Sequence, residues 1–169
     1  MRRALDGLYD AAAWLAALCM IGTLAMVVLG IVSRLLNWFV AGTDAYAGYF
    51  MAGAGFLALA HTLKRGEHIR VTLVLERIAG RARRALELFA LGMATLLALA
   101  FAWYSTRLAF QSYDFNDIST GNDATPLWIP QIAMAVGTVV LFVAFVDELV
   151  GEWRGTRRVA VPAEALHHE

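Results

Sequence analysis

The sequence predicts an all-α integral membrane protein with four transmembrane helices. A cytoplasmic-side amphipathic surface helix is predicted between the second and third. Three observations carry this. Of 169 residues, 60% are hydrophobic and 17% charged, whereas soluble domains hold roughly 45–50% apolar and 25% charged residues. Four stretches lack formal charge over membrane-crossing lengths. The basic residues gather on alternate sides of those stretches.

The stretches are Ala11 to Ser33, Ala45 to Leu63 (His61 counted neutral), Leu88 to Thr106 and Ala124 to Val146. A helix rises about 1.5 Å per residue and a bilayer core is about 30 Å thick. Each stretch is therefore long enough to span, and together they take about half the chain. The first follows Arg2 and Arg3 as a signal peptide would. Its apolar run exceeds the roughly 7–15 residues of a signal core, and no small-residue cleavage site follows. It reads as a retained helix.

Orientation follows from Lys and Arg. Twelve of the fourteen flank one side: Arg2, Arg3, the seven between spans two and three, and Arg154, Arg157 and Arg158. Only Arg34 and Arg107 fall on the other. Both termini, the middle segment and the tail 147–169 are thus predicted to be cytoplasmic.

Local signals mark the helix ends. Gly66 follows Lys64 and Arg65, and glycine stops helices whose last turns favour cations. Thr125-Pro126 suits the start of the fourth helix, with Pro130 as a later alternative start. The spans are placed at about 11–33, 45–63, 88–106 and 126–146. Trp14, Trp38, Trp103, Trp128 and Trp153 lie mostly near span ends and read as headgroup anchors.

The middle segment, about 67–86, has another pattern. Val71, Val74, Leu75, Ile78, Ala82 and Ala85 form one helical stripe, and Arg70, Arg77 and Arg84 recur every seven residues on its flank. A basic amphipathic helix next to a span is expected to lie on anionic lipid. Gly80 allows a kink.

Composition and motifs exclude several functions. Zero net charge gives no attraction to nucleic acid. The single cysteine, Cys19, builds neither an internal disulfide nor a metal cluster. Nucleophile-elbow, H-E-x-x-H and phosphate-loop motifs are absent from the sequence. A haem- or quinone-associated anchor subunit would need a second histidine at the depth of His61, and His68 lies beyond the span. No span carries a charge at its centre, which is unusual for a self-sufficient transporter. No catalytic, cofactor-binding or metal-ligating residue is assigned. The pattern reads as a scaffold or accessory subunit, with an independent small polytopic protein as the other option.

Candidate interface residues follow from spacing. Gly48, Ala52 and Gly55 share a face of span two with Leu59, suited to close helix approach within the chain's own bundle or against another subunit. Arg34 and Asp44 flank the short outer connection. They can pair, share a headgroup site or simply anchor the interface.

The run Asp44-Ala45-Tyr46-Ala47-Gly48-Tyr49, then Phe56 to Val71 with Gly66-Glu67-His68-Ile69-Arg70-Val71 at its end, resembles the small, DctQ-like membrane subunit of TRAP transporters. These are the tripartite ATP-independent periplasmic transporters of bacteria. Ser33-Arg34, the run Thr125 to Gln131 with Trp128, and Gly137 fit the same pattern. One departure is the start of span two, where many members carry Trp and an acidic pair and this chain has only Asp44. The resemblance implies a bacterial inner-membrane scaffold for a large elevator-type subunit. That subunit carries a small organic acid inward on a sodium gradient, after a periplasmic solute-binding protein delivers it. The sodium sites belong to the large subunit, and this chain is expected to bind no cofactor. His68 and Arg70 become candidate interface contacts through the family motif.

Overall fold

The computed structural model describes residues 2–38, 40–64 and 81–154. Among the described residues there are four helices: α1 (Arg2–Leu35), α2 (Thr43–Lys64), α3 (Arg81–Asp114) and α4 (Trp128–Trp153). Every predicted apolar stretch falls largely or wholly within one helix, but the helices run longer. α1 and α3 each have 34 residues, or about 51 Å at 1.5 Å per residue. That exceeds the roughly 40–45 Å of a bilayer with its headgroups, so polar ends extend past the apolar segments.

α1, α3 and α4 are long and apolar enough to cross a membrane. α2 is not in that set. Its 22 residues are rich in Gly, Ala and Tyr, and its position explains why. α2 packs against α1 on one flank and α4 on the other, while α3 packs against α4. The order across the bundle is α1, α2, α4, α3. A helix seated between two others needs small contact residues more than a broad apolar wall.

The core shows this economy. Tyr9 and Ala12 of α1, Ala60 and Leu63 of α2, and Val140, Leu141 and Ala144 of α4 form one buried cluster. At Gly137 the α2 and α4 backbones nearly touch: a Cβ there would lie 2.5 Å from the Phe56 carbonyl oxygen. α3 is tied to α4 by a buried hydroxyl pair, Ser105 and Thr138, 2.7 Å apart. Outward, the flanking helices are bare. Only 11% of the α1 span and 17% of the α3 span are buried, against 28% for α4.

Helix ends correct two details of the sequence reading. α3 is described from Arg81 onward, so 81–86, assigned by periodicity to the surface segment, are continuous with the third apolar helix. Residues 67–80 of that segment lie outside the described residues. α4 starts at Trp128, with Leu127 as a cap that makes no side-chain bond. The Thr125 hydroxyl donates instead to Tyr46 Oη, and Pro126 pairs with Ile118 across the preceding loop. Pro130 then falls in the first turn, where a missing N–H costs nothing.

α1 and α3 stop by the same device. Asn37 and Asn116 take left-handed φ of 52° and 51°. Trp38 N bonds Ser33 O at 2.9 Å and Asn37 N bonds Arg34 O at 3.3 Å; Asp117 and Asn116 repeat this onto Ser112 and Tyr113. This is the Schellman pattern, with asparagine in the usual glycine place.

Candidate functional site

The bundle has two polar ends. At the turn end, α1 closes at Asn37 and α2 opens just after Gly42, whose φ is +79°. That reversal brings the last turn of α1 to the first turn of α2. Arg34 Nη2 donates to Asp44 Oδ2 at 2.9 Å, with side chains 73% and 83% exposed. A cleft of about 650 Å³ opens here, lined by Ser33, Arg34, Asn37, Trp38, Thr43 and Asp44, with Gly121 and Asn122 of the α3–α4 loop as its far wall.

The loop is held by hydrogen bonds on one carboxylate. Tyr49 Oη donates to Asp123 Oδ2 at 2.9 Å and Ser119 Oγ donates to Oδ1 at 2.8 Å. Partial desolvation pushes the Asp123 carboxyl up, but hydrogen bonds, with those from the Ser119 and Tyr49 hydroxyls among them, outweigh it and hold it down at about 2. Gly42 makes the close fit: a Cβ there would stand 2.7 Å from Asp123 Cβ.

At the opposite end, Lys64 closes α2 against α4. Its ammonium bonds the Asp147 carboxylate and stands 3.8 Å from Glu148 Oε1. It also lies 5.3 Å from the Tyr9 ring centre, which joins α1 to the same knot. His61 Nδ1 is 3.6 Å from Asp10 Oδ1. Arg84 Nη2 donates to the Trp153 carbonyl at 2.9 Å, tying the start of α3 to the end of α4.

The predicted site residues divide accordingly. Arg34 and Asp44 meet. Arg84, read as a flank residue of the surface segment and a candidate interface contact, holds a helix end through the Trp153 carbonyl. Trp128, read only as an anchor, is half-buried edge-on to Tyr113, with ring centres 5.7 Å apart. Gly48, Ala52 and Gly55 are exposed, and a Cβ at Gly48 or Gly55 would meet nothing within 4 Å. Packing within the chain's own bundle, one of the two readings of that face, is thus corrected: close approaches occur at other glycines, among them Gly22 against Phe50, Gly53 beside Cys19 and Ala133, and Gly137 against Phe56. His68, Arg70 and Arg77 lie outside the described residues. Among the described residues, no group of three or more His, Cys, Asp or Glu is placed to hold a metal ion.

Sequence reasoning missed the Lys64 knot and the Asp123 knot. A signal existed for the first. Lys64 and Asp147 are each the first residue past their apolar stretches, and those stretches end on the same side. The Tyr49–Asp123 and Thr125–Tyr46 contacts each span more than 70 residues in sequence and carry no local signature.

These features define a class: a helical membrane protein with a thin, small-residue seam, wide apolar flanks and polar knots at both ends. The family follows. The family model described as tripartite ATP-independent periplasmic transporters, DctQ component, matches residues 23–155. The chain belongs to that family, the small permease component of TRAP transporters. The matched region runs from within α1 through α4, so it covers the Asp123 knot and, of the Lys64 knot, Lys64, Asp147 and Glu148. A search of curated proteins gave no match.

Proposed function

We propose that this chain is the fixed membrane scaffold of a TRAP transporter of the bacterial inner membrane. All four helices cross the bilayer, with the Lys64 end and both termini cytoplasmic. The large subunit moves against it and carries a small organic acid inward on a sodium gradient, supplied by a periplasmic binding protein. This chain performs no covalent chemistry and contributes no ion site. The single observation that carries the reading is the family match over residues 23–155. The bare walls of α1 and α3 fit it physically, because a scaffold must present apolar surface to lipid and to its partner. The open face of α2 at Gly48, Ala52 and Gly55 takes a helix of the large subunit. The basic segment before α3 rests on anionic lipid of the cytoplasmic leaflet, with Arg70 and Arg77 on headgroups and His68 at the interface.

Co-purification tests this. The tagged chain is expressed with its gene neighbours and extracted in mild detergent. Stoichiometric recovery of a much larger polytopic protein is expected. Gly55→Leu should reduce that recovery while the chain still inserts. Arg70→Glu with Arg77→Glu should lower uptake at equal expression. Recovery of the wild-type chain alone would refute the scaffold reading.

A further inference from the structure

The cleft at the turn end has a composition that the scaffold role leaves unexplained. It presents one full positive and one full negative charge, Arg34 and Asp44, both more than two-thirds exposed. An ion pair so exposed contributes little to stability, roughly 0–1 kcal/mol. Its volume, about 650 Å³, falls within the roughly 300–1,000 Å³ typical of small-ligand pockets. Its surroundings are amphipathic. Leu35, Leu36 and Trp38 beside it are 76%, 67% and 67% exposed, and the wall continues down α1 through Val32, Ile31 and Val28. A polar cleft at the top of an apolar helix wall matches an amphiphile: a charged head above, an acyl chain below.

We infer that this cleft binds the headgroup of a zwitterionic phospholipid bearing a primary ammonium, the chemistry of phosphatidylethanolamine. The Arg34 guanidinium takes the phosphate oxygens, aided by the positive N-terminal end of α2. The Asp44 carboxylate takes the ammonium, whose three N–H groups also suit the amide oxygens of Asn37 and Asn122. The pairing is selective for physical reasons. A choline head has no N–H to donate. A glycerol head is anionic and faces Asp44 with nothing to neutralise it. The inference rests on the membrane placement of the helices and not on the transport reading.

The test uses the full chain in nanodiscs with equal amounts of phosphatidylethanolamine, phosphatidylcholine and phosphatidylglycerol. Lipid retained after transfer to mild detergent is counted by native mass spectrometry. Phosphatidylethanolamine should be enriched. Arg34→Ala and Asp44→Asn should each lower its retention about tenfold, equivalent to about 1.4 kcal/mol. The exchanged pair Arg34→Asp with Asp44→Arg keeps a bridge but inverts the head's polarity, and should not restore retention. Circular dichroism of each variant checks that the helices persist. Equal retention of the three lipids, unchanged retention in the variants, or rescue by the exchanged pair would overturn the inference. Displacement by soluble glycerophosphoethanolamine as strong as by the lipid would also overturn it, by assigning the cleft to a free solute. Incorporation is scored separately: a chain that never enters the nanodisc strikes the membrane placement itself, whereas incorporation without lipid preference strikes only the headgroup site.

Discussion

The two ends of the bundle use the same chemistry for opposite purposes. In the Lys64 knot the charges are sheltered: Lys64 and Asp147 are 27% and 28% exposed, and Glu148 only 12%. At the turn end Arg34 and Asp44 are 73% and 83% exposed. Water and salt screen the second pair and reach the first far less. The Lys64 knot joins three helices and acts as glue. The Arg34–Asp44 pair joins neighbours already tied by a short turn and displays its charge. Cohesion at the turn end comes instead from hydrogen bonds to one carboxylate, Asp123. Proximity of opposite charges therefore says little until burial is known.

Substitutions can break or sharpen this contrast. The largest effect is expected at Lys64→Met. It removes the cation that bonds Asp147 and stands beside Glu148 at the α2–α4 end, at a cost of about 2–3 kcal/mol. A lowered thermal midpoint in detergent would register it, and an unchanged midpoint would remove the idea of a charge-held end. Gly42→Val comes next. It forces a branched side chain into a φ of +79° and against Asp123, for about 1–2 kcal/mol. Faster proteolysis of the α3–α4 loop should accompany it.

Tyr49→Phe removes one bond to Asp123 and should lower the thermal midpoint by less than Gly42→Val does. This effect carries a pH signature. The Asp123 carboxyl is held down at about 2 against an ordinary 3.8, so between those values the unfolded chain binds the extra proton. The contribution is fully present above about pH 5 and is lost as pH falls through about 2. The Tyr49→Phe effect should accordingly be constant from pH 8 to 5 and shrink only in strong acid. The smallest stability effect belongs to Arg34→Ala, within about 0.5 kcal/mol. The same change should nonetheless alter lipid retention. A large loss of stability there would make the two ends alike and end the contrast.

Much of the helix count was legible because hydrophobic runs of fixed length are a local property. The ends were legible only in part. Thr125 looks like a helix cap in sequence, and its hydroxyl is drawn away by Tyr46, 79 residues distant. Ala82 and Ala85, read as the end of the surface stripe, lie in α3, since helical spacing alone does not tell one helix from the next. Burial of the small residues was not legible either. Gly48 and Gly53 are both glycines of one helix, yet only Gly53 faces the chain's own atoms.

The sequence by itself determined the membrane class, the four apolar stretches and the family likeness, since each rests on composition and order along the chain. It also placed Arg34 and Asp44 within reach, since a short turn joins them. Only the tertiary structure decided which charges are sheltered, which face of α2 is open and what holds the α3–α4 loop. Those depend on how helices far apart in sequence come to lie side by side, and that arrangement is set by whether small residues let two backbones approach.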